Sequence, residues 1–156
     1  SDLLDAEWPP VTFAIAPYLP RGEITELVGA HGIFKSTAAL DACLAVATGK
    51  SRVGLERALE ASGLGAWFVA TRCADQTHSK PHPAMVLELI DELDADPART
   101  LVIGDTSHDL LMASNAGVAS LGVTYGAHEA GDLHPHAPLA LMDSFAEVHA
   151  WLNANA

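Results

Sequence analysis

A stretch near the amino terminus has most of the residues of a phosphate-binding loop. Residues 29 to 37 read Gly-Ala-His-Gly-Ile-Phe-Lys-Ser-Thr, against the pattern Gly-x-x-x-x-Gly-Lys-Ser/Thr. Phe34 stands where the second glycine belongs and restricts the turn that glycine permits. In this pattern the lysine reaches a β- or γ-phosphate and the hydroxyl ligates Mg²⁺. The sequence thus predicts a weak site for Mg²⁺ with ATP or another phosphate ligand, formed by Gly29, Gly32, Lys35, Ser36 and Thr37, with Ser36 also on the metal.

The flanks of this loop resemble RecA-like P-loop ATPases over residues 1–50. The matching segments are Leu19-Pro-Arg-Gly-Glu-Ile-Thr25 before the loop and Ala45-Val-Ala-Thr-Gly49 after it. The later acidic strand and the arginine finger of that family are not identified in this sequence. A strand, turn and helix retained without nucleotide binding therefore stays open as the alternative.

Residues 44–152 resemble haloacid dehalogenase-superfamily phosphatases of the phosphoglycolate phosphatase type. Three motifs occur in the family's order: Leu44-Ala-Val-Ala-Thr-Gly-Lys-Ser51, Ser79-Lys-Pro-His-Pro83, and Gly104-Asp-Thr-Ser-His-Asp109 followed by Leu-Leu-Met-Ala113. The resemblance implies that Thr48 binds phosphate, that Lys80 neutralises phosphoryl charge, and that the third motif holds Mg²⁺.

The chemistry of the third motif agrees with that role. Two carboxylates four residues apart at the start of a helix can share a cation and a lysine. Asp105 is a hard oxygen ligand suited to Mg²⁺, and we expect Asp109 to orient Lys80 rather than contact metal. The alternative for Asp105 is a simple helix N-cap.

The family's nucleophile is missing from its expected place. These phosphatases begin with Asp-x-Asp at the end of the first strand, where the first aspartate attacks phosphorus, and no such pair follows an apolar strand here. The main interpretation is a recombined or designed hybrid with no catalytic residue. It is a single domain over residues 1–156, P-loop-like over 1–49 and phosphatase-like over 50–156, without a cap domain. A Mg²⁺-dependent phosphomonoester hydrolase and a purely structural chimera without ligand remain the alternatives.

The elements that must position these residues alternate between strands and helices. Strands are expected at 11–16, 23–29, 66–70, 100–104, 118–124 and 139–142. Helices are expected at 36–47, 52–62, 83–93, 107–116 and 144–152. This order predicts an α/β three-layer sandwich with a mainly parallel, doubly wound, Rossmann-like sheet of about five to six strands. Ligands of such sheets bind beyond the carboxyl ends of the strands, and every candidate residue follows a strand.

Two expectations concern the junction of the two resemblances. The P-loop resemblance implies that residues 44–48 end a helix, whereas the phosphatase resemblance implies that they form a strand. Alanine-rich composition favours helix through about Ala47, which would take Thr48 out of the sheet. A composite site is also expected, in which a strand over 23–28 lies beside the strand that ends at Asp105. Lys35, Ser36 and Asp105 would then bind Mg²⁺ and a di- or triphosphate together.

Composition narrows the classes of partner. The net charge is −12, from 20 acidic and 8 basic residues, which argues against nucleic acid and anionic membrane surfaces. A small phosphate compound is the expected partner. Two cysteines favour free thiols and a cytoplasmic location. The histidines 78, 82, 128, 134 and 136 are interpreted as surface residues rather than zinc ligands, and Trp67 and Trp151 as core residues.

Overall fold

The computed structural model describes residues 13–16 and 43–155. The strands are β1 (Phe13–Ala16), β2 (Cys43–Thr48), β3 (Phe68–Cys73), β4 (Thr100–Gly104), β5 (Ala119–Val123) and β6 (Leu141–Met142). The helices are α1 (Arg52–Ser62), α2 (Ala84–Glu92), α3 (Ser107–Ala116), α4 (Ala130–Leu133) and α5 (Phe145–Asn155). Short 3₁₀ turns lie at Gly65–Trp67, Pro97–Arg99 and His134–His136.

The strands form one six-stranded sheet in the order β3-β2-β1-β4-β5-β6, and every described pairing is parallel. The order reverses direction at β1, as in doubly wound folds. The α/β class and the parallel sheet predicted from the alternation are therefore confirmed. The expected bounds of α1, β4 and α3 agree with the structure residue for residue.

Helices cover both faces of the sheet because successive strand residues point to opposite faces. On one face Ala45, Ala47 and Val102 pack with apolar residues of α2 and α3. On the other face Val46 packs with Leu55 of α1, and Leu101 packs with Val148 of α5. No helix within residues 43–155 is long and apolar enough to cross a membrane.

The expected helix through Ala47 is wrong. Residues 43 to 48 form β2, in which Val46 pairs with Ala16 on one side and Thr71 on the other. Ala45, Val46 and Ala47 are at most 3% exposed. Burial on both faces of a central parallel strand outweighs the helix propensity of alanine. The remainder of the expected 36–47 helix lies outside the described residues.

The strand beside β4 is also not the one expected. Phe13–Ala16 pairs with both β2 and β4 and so occupies the place that the composite site assigned to residues 23–28. Those residues, and the loop residues Gly29, Gly32, Lys35, Ser36 and Thr37, lie outside the described part of the chain. Trp67, expected in the core, is 37% exposed, whereas Trp151 packs against the core on the α5 face.

Candidate active site at the carboxyl edge of the sheet

Thr48 and Asp105 mark two points along the carboxyl edge of the sheet. Thr48 is the last residue of β2, and Asp105 directly follows β4. β1 lies between these two strands, so the two chains are two strand spacings, roughly 10 Å, apart. Because all the strands are parallel, both residues lie at the same edge, where ligands of this architecture bind.

Thr48 is nearly buried, at 4% exposed. Its Oγ1 accepts a hydrogen bond of 3.2 Å from the backbone N–H of Lys50. Since that bond uses an oxygen lone pair, the hydroxyl proton is available for an acceptor such as a phosphate oxygen. The strand assignment therefore keeps Thr48 at the edge, where the helix expected through Ala47 would have removed it.

Lys80 forms an ion pair with Asp109 of α3. The Lys80 side chain is 15% exposed and that of Asp109 only 3%. Asp109 Oδ1 binds the ammonium, while Oδ2 accepts from the Thr106 hydroxyl at 2.6 Å and from the Thr106 N–H at 3.1 Å. Both carboxylate oxygens are thus engaged within the protein, which makes Asp109 the group that fixes Lys80 rather than a ligand for a cation.

The start of α3 follows from its capping residues. Thr106 is the N-cap, and its side chain accepts from the N–H of Asp109 while the Asp109 carboxylate accepts from the N–H of Thr106. This reciprocal capping box stabilises the first turn. A Cβ on Gly104 would come within 2.2 Å of the Asp109 Cβ, so glycine at the end of β4 is what allows the helix to begin so close to the strand.

Asp105 is held by the loop that follows β5. The N–H of Ala127 donates to Asp105 Oδ2 at 3.0 Å, and the N–H of His128 donates to the Asp105 carbonyl at 3.1 Å. A Cβ on Gly126 would lie 2.2 Å from the Asp105 Cβ, so only glycine lets the loop approach this closely. Sequence reasoning missed this loop, although Gly126 and His128 follow a strand and so meet the same criterion as the other candidates.

The loop that carries Lys80 is tied to two helices. The Thr77 hydroxyl donates to Glu88 of α2, and Asn115 Nδ2 of α3 donates to the Pro81 carbonyl at 3.0 Å. Arg72 of β3 binds Glu88 at 2.8 Å and Glu92 at 2.7 Å. The hydrogen bond from Thr77, and then that from Arg72, lower the pKa of Glu88 below its ordinary value. Sequence analysis did not foresee this network, because its members belong to separate elements.

The partial positive charge at the amino end of α1 is already paired with a carboxylate. The N–H of Arg52 donates to both carboxylate oxygens of Asp75 at 3.0 Å, and the Ser51 side chain caps the helix by accepting from Gly54. The positive end of the α1 dipole therefore already has a carboxylate partner within the protein.

The described histidines, which exclude His31, do not form a cluster with a metal-ligand set. Among the described residues, no three His, Cys, Asp or Glu side chains converge to hold a metal ion. His78 and His82 stack with their ring centroids 4.3 Å apart. His128 is turned inward instead, and its Nδ1 accepts from the N–H of Ser107 at 3.2 Å.

An Asp-x-Asp spacing does occur, at Asp94 and Asp96, but it is in the wrong place for the family's nucleophile. This pair lies between α2 and β4, before the strand begins, and so at the opposite edge of the sheet. Asp96 caps the turn Pro97–Arg99 by accepting from the N–H of Ala98. Asp96 therefore has a structural role in the turn.

Comparison with known proteins decides between the interpretations of the sequence. The family model described as haloacid dehalogenase-like hydrolase matches residues 18–123. The chain belongs to the haloacid dehalogenase-like hydrolase family. A curated relative named "Probable phosphatase IndB", from Dickeya dadantii, is 46% identical over 106 residues, which are 67% of this chain and 46% of the relative.

Two further members have names that concern phosphate chemistry. "Pyrophosphatase PpaX" of Bacillus mycoides is 30% identical over 67% of this chain and 49% of its own length. A solved structure described as a predicted phosphoglycolate phosphatase from Haemophilus somnus is 27% identical with a TM-score of 0.69, covering 77% of this chain and 54% of that one. This haloacid dehalogenase-like chain spans about half the length of the curated relatives it matches.

These findings correct the main functional interpretation. A recombined hybrid without a complete catalytic site is contradicted, because the relatives carry the names of phosphatases and the family match runs unbroken across residues 44–48. They favour the phosphomonoester hydrolase that stood as an alternative. The comparisons give no support to the RecA-like resemblance, to a chimeric origin or to ATP as a ligand. Membership of this hydrolase family supports Mg²⁺.

Proposed function

We propose that this protein hydrolyses phosphate monoesters with Mg²⁺, and that Thr48, Lys80 and Asp105 bind the phosphate and the metal. The observation that carries the proposal is the ion pair of Lys80 with the buried Asp109, which holds an ammonium at the sheet edge shared by Thr48 and Asp105. The two curated relatives are named a probable phosphatase and a pyrophosphatase, which supports a phosphate compound as substrate.

Thr48 and Lys80 suit the oxygens of a phosphate dianion. The Lys80 ammonium has three N–H donors, of which Asp109 Oδ1 accepts one. The Thr48 hydroxyl retains its proton for donation, as its oxygen accepts from Lys50. Donors fixed before the substrate arrives stabilise charge that develops on the phosphoryl oxygens without further reorganisation.

Asp105 has the chemistry of a magnesium ligand. Mg²⁺ in phosphoryl-transfer sites is held by one or two carboxylates, with waters and substrate oxygens completing its coordination. Within the described residues, the hydrogen bond from Ala127 reaches only Oδ2 of Asp105. When bound there, Mg²⁺ supplies neutralisation of the phosphate charge.

These residues are assigned binding and charge neutralisation, not attack on phosphorus. In the overall reaction a water oxygen forms a bond to phosphorus, the ester P–O bond breaks, and the leaving alcohol takes a proton. The family's attacking aspartate follows the strand beside β4, and in this sequence Ala16 of β1 is followed by Pro17 and Tyr18. The attacking group is therefore outside this assignment.

Hydrolysis assays with Mg²⁺ test the proposal. Inorganic phosphate release is measured with 2-phosphoglycolate, p-nitrophenyl phosphate and pyrophosphate, the last because one relative is named a pyrophosphatase. We expect turnover by the wild type and a loss of about 100-fold in Lys80→Gln and in Asp105→Asn. Arg57→Gln, which removes a charge from the exposed surface of α1, is the matched control. No turnover in the wild type, or equal rates in all four proteins, would contradict the proposal.

A further inference from the structure

The loop Gly126–His128 holds Asp105 at two of its atoms and is itself attached to α3. Ala127 and His128 donate backbone N–H groups to the carboxylate and to the carbonyl of Asp105. The return contact runs through the side chain of His128, whose Nδ1 accepts from Ser107, the first residue of α3. Asp105 is therefore enclosed between the helix start that follows it and a loop 21 residues later.

In the His128–Ser107 bond the ring nitrogen is the acceptor. An N–H can only donate, so Nδ1 of His128 accepts from Ser107 in this contact. The imidazole serves here as an acceptor on a rigid side chain. No other side-chain acceptor among the described residues bonds the Ser107 N–H.

We propose that His128 is a positioning residue that aims the Asp105 carboxylate at the cation. By holding the loop against the start of α3, it places the N–H of Ala127 on Oδ2, which keeps the carboxylate in one orientation. Partners of this kind orient metal ligands, and their loss typically weakens metal affinity by 10- to 100-fold. The inference rests on the proposed function in that Asp105 is taken to ligate Mg²⁺.

A role confined to helix stability gives a different pattern. The N-cap of α3 is Thr106, whose side chain already accepts from Asp109. Replacing His128 leaves this capping box in place. A purely structural His128 would therefore change the unfolding midpoint without changing the affinity for Mg²⁺ in the folded protein.

The chain allows a matched set of variants. In His128→Asn the amide Oδ1 is bonded to Cγ, as Nδ1 is in histidine, so the variant keeps an acceptor where His128→Ala has none. His108→Ala is the control, because His108 is exposed and its ring centroid lies 6.4 Å from that of His128. Each protein, comprising residues 1–156 and freed of metal, is titrated with MgCl₂ by calorimetry without substrate. Orthophosphate binding in EDTA reports separately on Thr48 and Lys80.

We expect the Mg²⁺ dissociation constant to rise about 10-fold or more in His128→Ala, to return to within about threefold of wild type in His128→Asn, and to stay unchanged in His108→Ala. Orthophosphate binding should be equal in all of them. Unchanged Mg²⁺ affinity in His128→Ala, no recovery in His128→Asn, or no Mg²⁺ binding by the wild type would overturn the inference. Wild-type Mg²⁺ binding with this pattern but without hydrolysis would contradict the proposed function alone.

Discussion

Lys80 and Asp109, 29 residues apart in the chain, form an ion pair in which the carboxylate is almost completely removed from water. A charge in such a place is tolerated because its partner and the two hydrogen bonds from Thr106 replace the lost hydration. The pair thereby links the loop after β3 to the start of α3, and it sets where an ammonium stands at the sheet edge.

Removal of the Asp109 carboxylate should destabilise the folded protein. We expect Asp109→Ala to lower the free energy of unfolding by about 3 kcal/mol, because it leaves Lys80 without its counter-charge and Thr106 without its acceptor. Urea denaturation measures the effect. Asp132→Ala, an exposed acidic residue of α4, is the control and should stay within about 0.5 kcal/mol of wild type. Equal stability of the two variants would show that the pair contributes nothing.

Replacement of Gly126 by alanine, which has the smallest side chain, should lower the stability of the protein. A Cβ there would lie 2.2 Å from the Asp105 Cβ, so we expect Gly126→Ala to destabilise the protein by about 2 kcal/mol. Gly131→Ala, five residues later in α4, meets nothing within 4 Å and should be neutral or stabilising by up to about 1 kcal/mol. Thermal unfolding of both variants checks this, and a stable Gly126→Ala protein would mean that the loop lies farther from Asp105.

Protonation of Glu88 at acidic pH should lower the free energy of unfolding. Its pKa is lowered in the folded protein by the hydrogen bond from Thr77 and then by Arg72. A lowered folded pKa contributes stability above the ordinary value of 4.5, and the contribution is lost as the pH falls through the folded pKa. Because the side chain is 42% exposed, we expect at most about 1 kcal/mol.

The comparison of wild type with Glu88→Gln isolates this group, since the other titrating groups are shared. The difference in unfolding free energy should be constant from pH 7 to about pH 5 and should shrink below that. A difference that grows as the pH falls would have the wrong sign for the network with Thr77 and Arg72.

Cys73 should be unreactive while the protein is folded. Its side chain is buried at 0% exposure, and burial raises the pKa of the thiol, which disfavours the nucleophilic thiolate. Iodoacetamide at pH 8, followed by peptide mass spectrometry, should label Cys73 only after unfolding in guanidinium. Rapid labelling of the native protein at this residue would contradict its burial with Val46 of β2 and Leu55 of α1.

The sequence predicted those elements whose ends carry local signals. α1 ends at Gly63 and α3 at Gly117, both in left-handed conformation, and glycine favours that conformation. β2 was misassigned because its residues Cys-Leu-Ala-Val-Ala-Thr have no such signal and alanine favours helix locally. Only the packing of Ala45 and Ala47 against α2 and α3, which the local sequence does not contain, selects the strand.

The candidate site was also predicted only in part from the sequence. The pairing of Lys80 with Asp109 was expected from charge and motif spacing, and the structure places the two side chains together. The role of Gly126–His128 was not expected, because the loop acts mainly through backbone N–H groups. Every residue type except proline has such a group, so the residue types do not reveal it, and the position of the loop directly after β5 is the one signal in the sequence.

The position of β1 has a consequence for how the chain folds. Among the described strands, β1 separates the sheet into two groups. One group is the pair β2 and β3, and the other is the set β4, β5 and β6. In the part of the chain that the structure describes, the two groups are joined within the sheet only through Phe13–Ala16, which pairs with Cys43–Val46 and with Thr100–Val102, both distant in the chain. Contacts between distant segments carry a large loop-closure entropy and form slowly. Closure of the sheet by four residues is therefore the step expected to limit the folding rate, after each group of strands has assembled from its own neighbours.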